Sequence, residues 1–198
     1  MSLRIAFFAS HGGSNMQAII DAIKSGEIDA VAALVISNNS ESGAIERAKT
    51  EGIPFSHISS KTHPDERERI MAMIEKLDEC KIDLIILAGY MKKIPSQIIE
   101  HVGGRVLNIH PALLPKFGGE GMYGMNVHKA VIESGETLSG ATVHLVDSEY
   151  DRGRILMQKE APVLADDTPE TLAARVLVAE HSLYKETLKK IISGEIII

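Results

Sequence analysis

Three residues, Asn108, His110 and Asp151, have the side chains that acyl-type transfer to an amine requires. An amide can donate a hydrogen bond to a developing oxyanion, and an imidazole can act as a proton shuttle. A carboxylate can tune that shuttle by favouring its charged form. The combination of these three residue types predicts a catalytic site.

The element that positions Asn108 and His110 is predicted from the run RVLNIH at residues 105–110. This run is typical of a buried strand that leads into a loop, here at Pro111, so both polar side chains fall at the carboxyl end of the strand. In open α/β sheets, ligands bind at the carboxyl ends of the strands. We therefore expect the site at that edge.

Apolar runs without alternation are typical of strands that are covered on both faces of a parallel sheet. The chain has such runs at residues 5–8, 31–36, 84–87 and 106–107. Helical patterns lie between them at residues 16–23, 44–50 and 65–77. Strands that alternate with helices predict βαβ units. The expected fold is α/β, a Rossmann-like, mostly parallel twisted sheet with helices on both faces.

The pattern changes after Pro115, where a glycine-rich loop precedes a helix from about Val127. Residues 141–146 and 155–159 predict two strands, for which antiparallel pairing is open. A long final helix is expected over residues 169–192, because Asp-Thr-Pro is a helix start signal.

The first strand-to-helix turn contains Gly12, Gly13, Ser14 and Asn15. Adjacent glycines let backbone N–H groups approach an anion, and the hydroxyl and amide side chains can donate to a phosphate. The same side chains can merely cap the helix, and the turn alone leaves both functions open. The spacing matches neither the dinucleotide-binding nor the Walker A motif, so we expect no nicotinamide or P-loop site.

The composition argues against several classes of protein. A net charge of −6 and a pI near 5.8 are unlike a nucleic-acid-binding protein, which normally has a basic face. The single cysteine, Cys80, excludes an internal disulfide, and no run reaches the roughly 20 apolar residues of a membrane span. Zinc-motif spacings and a secretory leader are also missing, so we expect a metal-free cytoplasmic protein.

The remaining histidines need separate interpretation. His144 lies on an alternating strand and faces either the core or a cleft; a satisfied, partly buried histidine is the favoured interpretation. Four others have polar or helix-end neighbours and are expected at the surface: His57, His63, His101 and His181.

Taken together, the motifs of this chain resemble the folate-dependent phosphoribosylglycinamide formyltransferase family of purine synthesis. They are GSN at residues 13–15, LAGYM at 87–91, NIHPALLP at 108–115, VH at 143–144 and EH at 180–181. The resemblance implies a single formyltransferase domain, residues 1–198. Its first half, about residues 1–105, would bind the phosphoribosyl substrate, and its second half, about 106–198, would bind folate and carry the catalytic groups.

The resemblance also assigns roles to individual residues. The phosphate would be bound by Gly13, Ser14 and Asn15, and phosphoribosylglycinamide would also contact Glu180. The pocket for 10-formyltetrahydrofolate would be lined by Met91, Lys92, Lys93, Ile94, Asn108, Asp147, Ser148, Glu149, Tyr150 and Asp151. Asn108 would donate to the oxyanion, His110 would be general acid and proton shuttle, and Asp151 would hold His110 and favour its charged form. The expected partners are these small molecules, without nucleic acid or membrane, and a homodimer is left open.

Two segments depart from the family pattern. One is residues 91–94, which carry a charge at Lys93 where an apolar residue is common. Residues 118–124 belong to a glycine-rich loop where a short Pro-Gly turn is common. We expect a mobile flap over the reacting groups, with Met122 and Tyr123 as its apolar cover; the alternative is a surface insert. An arginine that contacts the folate tail in some relatives has two candidates here, Arg67 and Arg69.

Three other functions fit parts of the pattern less well. A methionyl-tRNA formyltransferase would need a further domain and a basic surface for tRNA. A formyltetrahydrofolate deformylase would use the same three side chains to admit water, but it usually carries an extra amino-terminal domain. A non-catalytic phosphate-binding module would not need Asn108, His110 and Asp151 together.

Overall fold

Strands and helices alternate along residues 2–198, the part of the chain that the computed structural model describes. The strands are β1 Leu3–Phe8, β2 Ala30–Ser37, β3 Phe55–His57, β4 Leu84–Leu87, β5 Val106–His110, β6 Leu138–Leu145 and β7 Ile155–Pro162. The helices are α1 Ser14–Lys24, α2 Gly43–Glu51, α3 Glu66–Glu79, α4 Ser96–His101, α5 Met125–Glu133 and α6 Pro169–Ile192.

The strands form one sheet in the order β3-β2-β1-β4-β5-β6-β7. β1 pairs in parallel with β2 and β4, and β2 pairs in parallel with β3. β6 and β7 are antiparallel, with Val143 opposite Met157. The order reverses between β1 and β4, which is the topological switch point of a doubly wound sheet. The prediction of a mostly parallel, Rossmann-like α/β sheet is confirmed, and the later strand pair is antiparallel.

The described chain divides into two compact units. The first ends at Leu107 and also includes Ile198, and the second spans Asn108–Ile197. The boundary falls within β5, so Asn108 and His110 belong to the second unit. The expected single domain, residues 1–198, stays a prediction.

The core of the first unit is formed by strands without alternation. All four residues of β4 are buried, as expected for a central parallel strand. On α1, Met16 and Ile19 are fully buried, and their spacing of three residues places them on one face of the helix. Burial of each such side chain stabilises the fold by about 1.5–3 kcal/mol.

The second unit is organised around β6, β7 and the long helix α6. The start of α6 is fixed by a capping box between Thr168 and Thr171, with Pro169 in the first turn. A buried cluster is formed by Val131, Ala161, Leu172 and Val176. The side chains that pack against this cluster are Phe117, Ile132 and Val163.

Candidate active site

His110 is the last residue of β5, and its side chain is only 3% exposed. Its ring nitrogens face two different acceptors. Nε2 lies 2.6 Å from the carbonyl oxygen of Phe117, and Nδ1 lies 3.4 Å from Oδ2 of Asp151. The structure therefore places the imidazole between a backbone carbonyl and a carboxylate.

Asp151 holds its carboxylate at the centre of this site from a left-handed backbone conformation, with φ of 56°. Its Oδ2 accepts a hydrogen bond from the Gly119 N–H at 3.0 Å, and its Oδ1 lies 3.5 Å from Nε2 of His144. Burial raises the pKa of this carboxyl, but the contacts with His144, His110 and the Gly119 N–H outweigh burial and lower it. Asp151 is therefore held as an anion.

Asn108 contacts His144, which the sequence favoured as a satisfied, partly buried histidine. Its Nδ2 lies 3.1 Å from Nε2 of His144, and Nδ1 of His144 lies 2.8 Å from the Leu145 carbonyl oxygen. Nδ1 of His144 therefore donates to the Leu145 carbonyl, and its Nε2 faces both the Asn108 amide and the Asp151 carboxylate. His144 is buried and satisfied, as favoured, but it also links Asn108 to Asp151. Its position on an alternating strand does not identify the face that meets a site, and its place in the VH motif at 143–144 carried no assigned role.

The charge state of His110 reflects opposing effects. Burial lowers the pKa of its imidazole, whereas the Asp151 carboxylate and the Phe117 carbonyl raise it, and burial outweighs them. Asp151 thus raises the pKa of His110, as expected, but by less than burial lowers it. Neutral His110 is the dominant form at neutral pH.

The segment after His110 is clamped by two polar side chains. The Thr142 hydroxyl accepts from the Leu114 N–H at 3.0 Å and donates to the Ala112 carbonyl at 2.7 Å. Gln158 donates to the Leu114 carbonyl, at 2.9 Å, and to the Thr142 hydroxyl. Strands β6 and β7 thereby fix the path from His110 to the glycine-rich loop.

The glycine-rich loop begins in contact with Asp151. A Cβ on Gly118 would lie 2.4 Å from Cδ2 of Leu114 and 3.2 Å from Cβ of Asp151, so only glycine fits without a shift. Further along, Met122 is partly buried and Tyr123 is 54% exposed. The start of the loop therefore belongs to the site, whereas the tyrosine ring does not cover it in this conformation.

The first turn of the first unit forms a tight helix start. Gly13 is the N-cap of α1, with φ of 68° and no side-chain capping bond. Ser14 and Asn15 are thus the first residues of the helix, which excludes the alternative that either caps it. Arg47 of α2 donates to the Gly12 carbonyl at 2.8 Å, which brings a guanidinium beside the turn. Sequence reasoning missed Arg47, because α2 follows only after another strand.

Ser10 joins three loops at the carboxyl ends of β1, β2 and β4. Its hydroxyl donates to Oδ1 of Asn38 at 2.5 Å and accepts from the Met91 N–H at 2.8 Å. Its own N–H donates to the Gly89 carbonyl. This buried serine, which the sequence did not single out, fixes the start of the segment expected to bind folate.

A cavity of about 500 Å³ lies in the first unit. Its cationic lining residues include Lys61, Arg69, Lys92 and Lys93, and Glu66 is an acidic one. Arg69 is partly buried and donates to the His63 carbonyl, whereas Arg67 is exposed and does not line the cavity. An excess of cations makes this cavity suitable for an anionic group.

The other expected site residues have varied surroundings. Met91 is exposed and Ile94 is buried, and Glu180 of α6 is 8% exposed. The residues before Asp151 form an exposed turn: Asp147, Ser148, Glu149 and Tyr150. Of the catalytic residues expected, the structure brings Asn108, His110 and Asp151 together in the second unit.

Residues 2–198 contain neither a membrane-spanning helix nor a cluster of metal ligands. No helix in this part of the chain is long and apolar enough to cross a membrane. No group of three or more His, Cys, Asp or Glu side chains in the same residues is arranged to hold a metal ion.

Comparison with known proteins shows similarity over most of the chain. Residues 3–188 match the protein family described as formyl transferase. The chloroplastic phosphoribosylglycinamide formyltransferase of Arabidopsis thaliana is 44% identical over 186 residues, which cover 93% of this chain and 64% of that protein. The chain thus spans less than two thirds of this plant relative.

A bacterial relative and a solved structure cover more of their own lengths. The phosphoribosylglycinamide formyltransferase of Haemophilus influenzae is 37% identical over 193 residues, or 98% of this chain and 89% of that protein. Glycinamide ribonucleotide transformylase 1 from Symbiobacterium toebii aligns with a TM-score of 0.92 at 34% identity. That alignment covers 100% of this chain and 91% of the other.

Proposed function

The chain belongs to the formyl transferase family, and we propose that it transfers a formyl group from 10-formyltetrahydrofolate to the amine of 5-phosphoribosylglycinamide, a step of purine biosynthesis. The observation that carries this proposal is the cluster of Asn108, His110 and Asp151 in the second unit. It combines an amide donor, a buried imidazole and a carboxylate, the groups needed for attack of an amine on a formyl carbon.

Asn108 stabilises the oxyanion in this mechanism. One hydrogen of its amide nitrogen is directed to His144, at 3.1 Å, which fixes the orientation of the side chain. The second hydrogen of the same nitrogen is the donor to the formyl oxygen, where negative charge develops as the amine attacks. Loss of one such donor costs on the order of 100- to 1000-fold in rate.

His110 moves the proton that the reaction must transfer. The attacking amine loses a proton as the new C–N bond forms, and the folate nitrogen gains one as the old C–N bond breaks. Neutral His110 can accept the first proton and return it in the second step. Asp151, 3.4 Å away, stabilises the imidazolium between these steps.

The binding roles belong to the same proposal. Gly13, Ser14 and Asn15 bind the phosphate, because the helix start carries backbone N–H groups toward an anion. Glu180 contacts the phosphoribosylglycinamide. Folate binds Met91, Lys92, Lys93 and Ile94 in the first unit, and Asn108, Asp147, Ser148, Glu149, Tyr150 and Asp151 in the second.

Arg69 is the residue we propose for the carboxylates of the folate tail. It lines the cationic cavity together with Lys92 and Lys93, whereas Arg67 is exposed outside it. Arg69→Gln should therefore raise the Michaelis constant for folate, and Arg67→Gln is the matched control.

The cytoplasmic location and the oligomeric state stay predictions.

An assay of 10-formyltetrahydrofolate loss, with and without 5-phosphoribosylglycinamide, tests the proposed function. A transferase loses the formyl group only when the acceptor amine is present. Loss at the same rate without acceptor would instead indicate a hydrolase. Binding of both ligands with no loss would indicate a non-catalytic binding protein.

A further inference from the structure

The two ring nitrogens of His110 are held with unequal strength. The contact from Nε2 to the Phe117 carbonyl oxygen is 2.6 Å, a short hydrogen bond, whereas the 3.4 Å from Nδ1 to Asp151 exceeds the usual hydrogen-bond range. A carbonyl oxygen accepts and never donates, so Nε2 must carry a proton in this arrangement. In neutral His110 the lone pair is consequently on Nδ1.

The Phe117 carbonyl is itself held in place from two sides. The aromatic ring packs against the buried cluster of Val131, Ala161, Leu172 and Val176. The backbone of Phe117 has a φ of 55°, a conformation that persists in a bulky residue only when its surroundings enforce it. The next residue, Gly118, is confined between Leu114 and Asp151.

We propose that Phe117 is a positioning residue whose carbonyl fixes His110 in the Nε2-protonated tautomer and so makes Nδ1 the nitrogen that exchanges protons with the substrates. This inference rests on the proposed formyl transfer. Nδ1 takes a proton from the attacking amine as one C–N bond forms and gives it to the folate nitrogen as the other breaks. The proton stays on Nε2 and is donated to the Phe117 carbonyl oxygen throughout, and His110 ends neutral.

The unequal contacts explain why Nδ1 is the nitrogen that exchanges. Separation of Nε2 from Phe117 would leave an N–H and a carbonyl without partners in a partly buried site, and the loss of both partners is unfavourable. Asp151 loses less when a substrate takes over the Nδ1 contact, because its Oδ2 also accepts from the Gly119 N–H. The titratable groups coupled to His110 are Asp151, His144 and His128, and none of them lies on the Nε2 hydrogen bond.

Nitrogen-15 NMR of the full chain, with labelled histidine, measures this tautomer directly. Above the pKa of His110, the wild-type protein should show the proton on Nε2. Phe117→Ala removes the anchor of the carbonyl, so it should give a mixture of tautomers and lower kcat by about 10-fold or more with little change in KM. Phe117→Leu keeps an apolar anchor and should restore the Nε2 tautomer and most of kcat.

Ile132→Ala and Val163→Ala are matched controls, since both side chains pack against the same cluster without a carbonyl that faces His110. They should lower stability but leave the tautomer and the pH profile of kcat unchanged. A wild-type proton on Nδ1 would overturn the inference, as would equal changes in the controls. The tautomer measurement needs no substrate, so it stays decisive if Phe117→Ala fails to fold. An Nε2 tautomer without any formyl transfer would overturn the proposed function instead.

Discussion

At the scale of single residues, His110 shows how burial and a few polar contacts together set a charge state. Burial lowers the pKa of the imidazole, and Asp151 and the Phe117 carbonyl oppose this effect. A general acid–base group works best when its pKa lies close to the pH of the reaction. By opposing burial, the Asp151 carboxylate supports the proposed role of the imidazole as a proton shuttle.

His110→Ala and Asn108→Ala should each lower turnover by about 100-fold or more while folate binding changes only a few-fold. Both side chains act more strongly on the transition state than on bound substrate, so their loss affects kcat. Steady-state kinetics and equilibrium binding measure the two effects. His101→Ala, at an exposed histidine of the first unit, should leave both unchanged. If His110→Ala or Asn108→Ala keeps more than about a tenth of the wild-type turnover, the role proposed for the replaced residue is wrong.

Asp151→Asn should lower the pKa of His110 further and reduce turnover. The substitution keeps the size of the side chain but removes the negative charge that favours imidazolium. An NMR titration of His110 measures the shift, and Asp166→Asn, at an exposed aspartate of the same unit, is the control. An unchanged or raised pKa in Asp151→Asn would contradict the proposed role of the carboxylate.

Candidate site residues could be proposed from the sequence where a reactive side chain lies in a recognisable motif. The groups that contact and orient those side chains could not. Asn108, His110 and Asp151 were identifiable because few other functions require their combination. For His144, core and cleft were both open and a satisfied, partly buried side chain was favoured, because alternation in a strand does not show which face meets the site. The Phe117 carbonyl carried no signal at all, since every residue has the same backbone acceptor.

At the scale of elements, the two loops for which we propose ligand-binding roles follow β1 and β5. Gly13 starts α1 without a side-chain cap, so the N–H groups of the first turn can face an anion. The glycine-rich loop after β5 starts with bonds to His110 and Asp151. Each loop thus follows directly from a strand that fixes its first residues. The residues that come next are the ones proposed to contact a ligand.

The double variant Ser14→Ala with Asn15→Ala should raise the Michaelis constant for 5-phosphoribosylglycinamide much more than that for folate. Contacts with a phosphate are made about equally in the ground state and the transition state, so their loss weakens binding rather than turnover. Steady-state kinetics with each substrate varied in turn separates the two constants. Equal weakening of both substrates would mean that the turn has only a structural role.

Met122→Ser with Tyr123→Ser tests whether residues 118–124 act as a flap. A flap excludes water, so the double variant should lose turnover and release formate without acceptor. Acceptor-independent hydrolysis is the direct measurement, and Leu164→Ser, an exposed apolar position of the same unit, is the control. Wild-type turnover with no added hydrolysis would instead indicate a surface insert.

Long elements were predictable and short ones were not. The predicted final helix has the bounds of α6, Pro169–Ile192, because a capping signal and a long periodic pattern coincide there. The run of four apolar residues predicted as a strand is β4, Leu84–Leu87. The short elements β3 and α4 were missed, since three to six residues do not establish a period.

At the scale of the whole molecule, buried histidines link stability to pH. Burial lowers the pKa of His110 and of His128 below the usual value of about 6.5. As the pH falls, these histidines therefore bind protons at a higher pH in the unfolded chain than in the folded chain. The stability contributed by each group is complete above about pH 6.5 and is lost as the pH falls toward the folded-state pKa.

The free energy of unfolding should consequently decrease between about pH 7.5 and 5.5, by at most about 1.4 kcal/mol per pH unit for each histidine. Urea unfolding at a series of pH values measures this slope. His128→Gln removes one of the histidines whose pKa is lowered by burial, so it should flatten the dependence. A slope that is identical in wild type and His128→Gln would show that His128 does not contribute.

The destination of the formyl carbon tests the central proposal of amine formylation most directly. Carbon-13 NMR with 10-formyltetrahydrofolate labelled at the formyl carbon distinguishes a formamide of phosphoribosylglycinamide from free formate. In the presence of both substrates, the label should be recovered on the acceptor nitrogen, and it should remain on folate when the acceptor is omitted or when His110 is replaced by alanine. Recovery of the label as formate at the same rate with and without acceptor would contradict the proposed transfer.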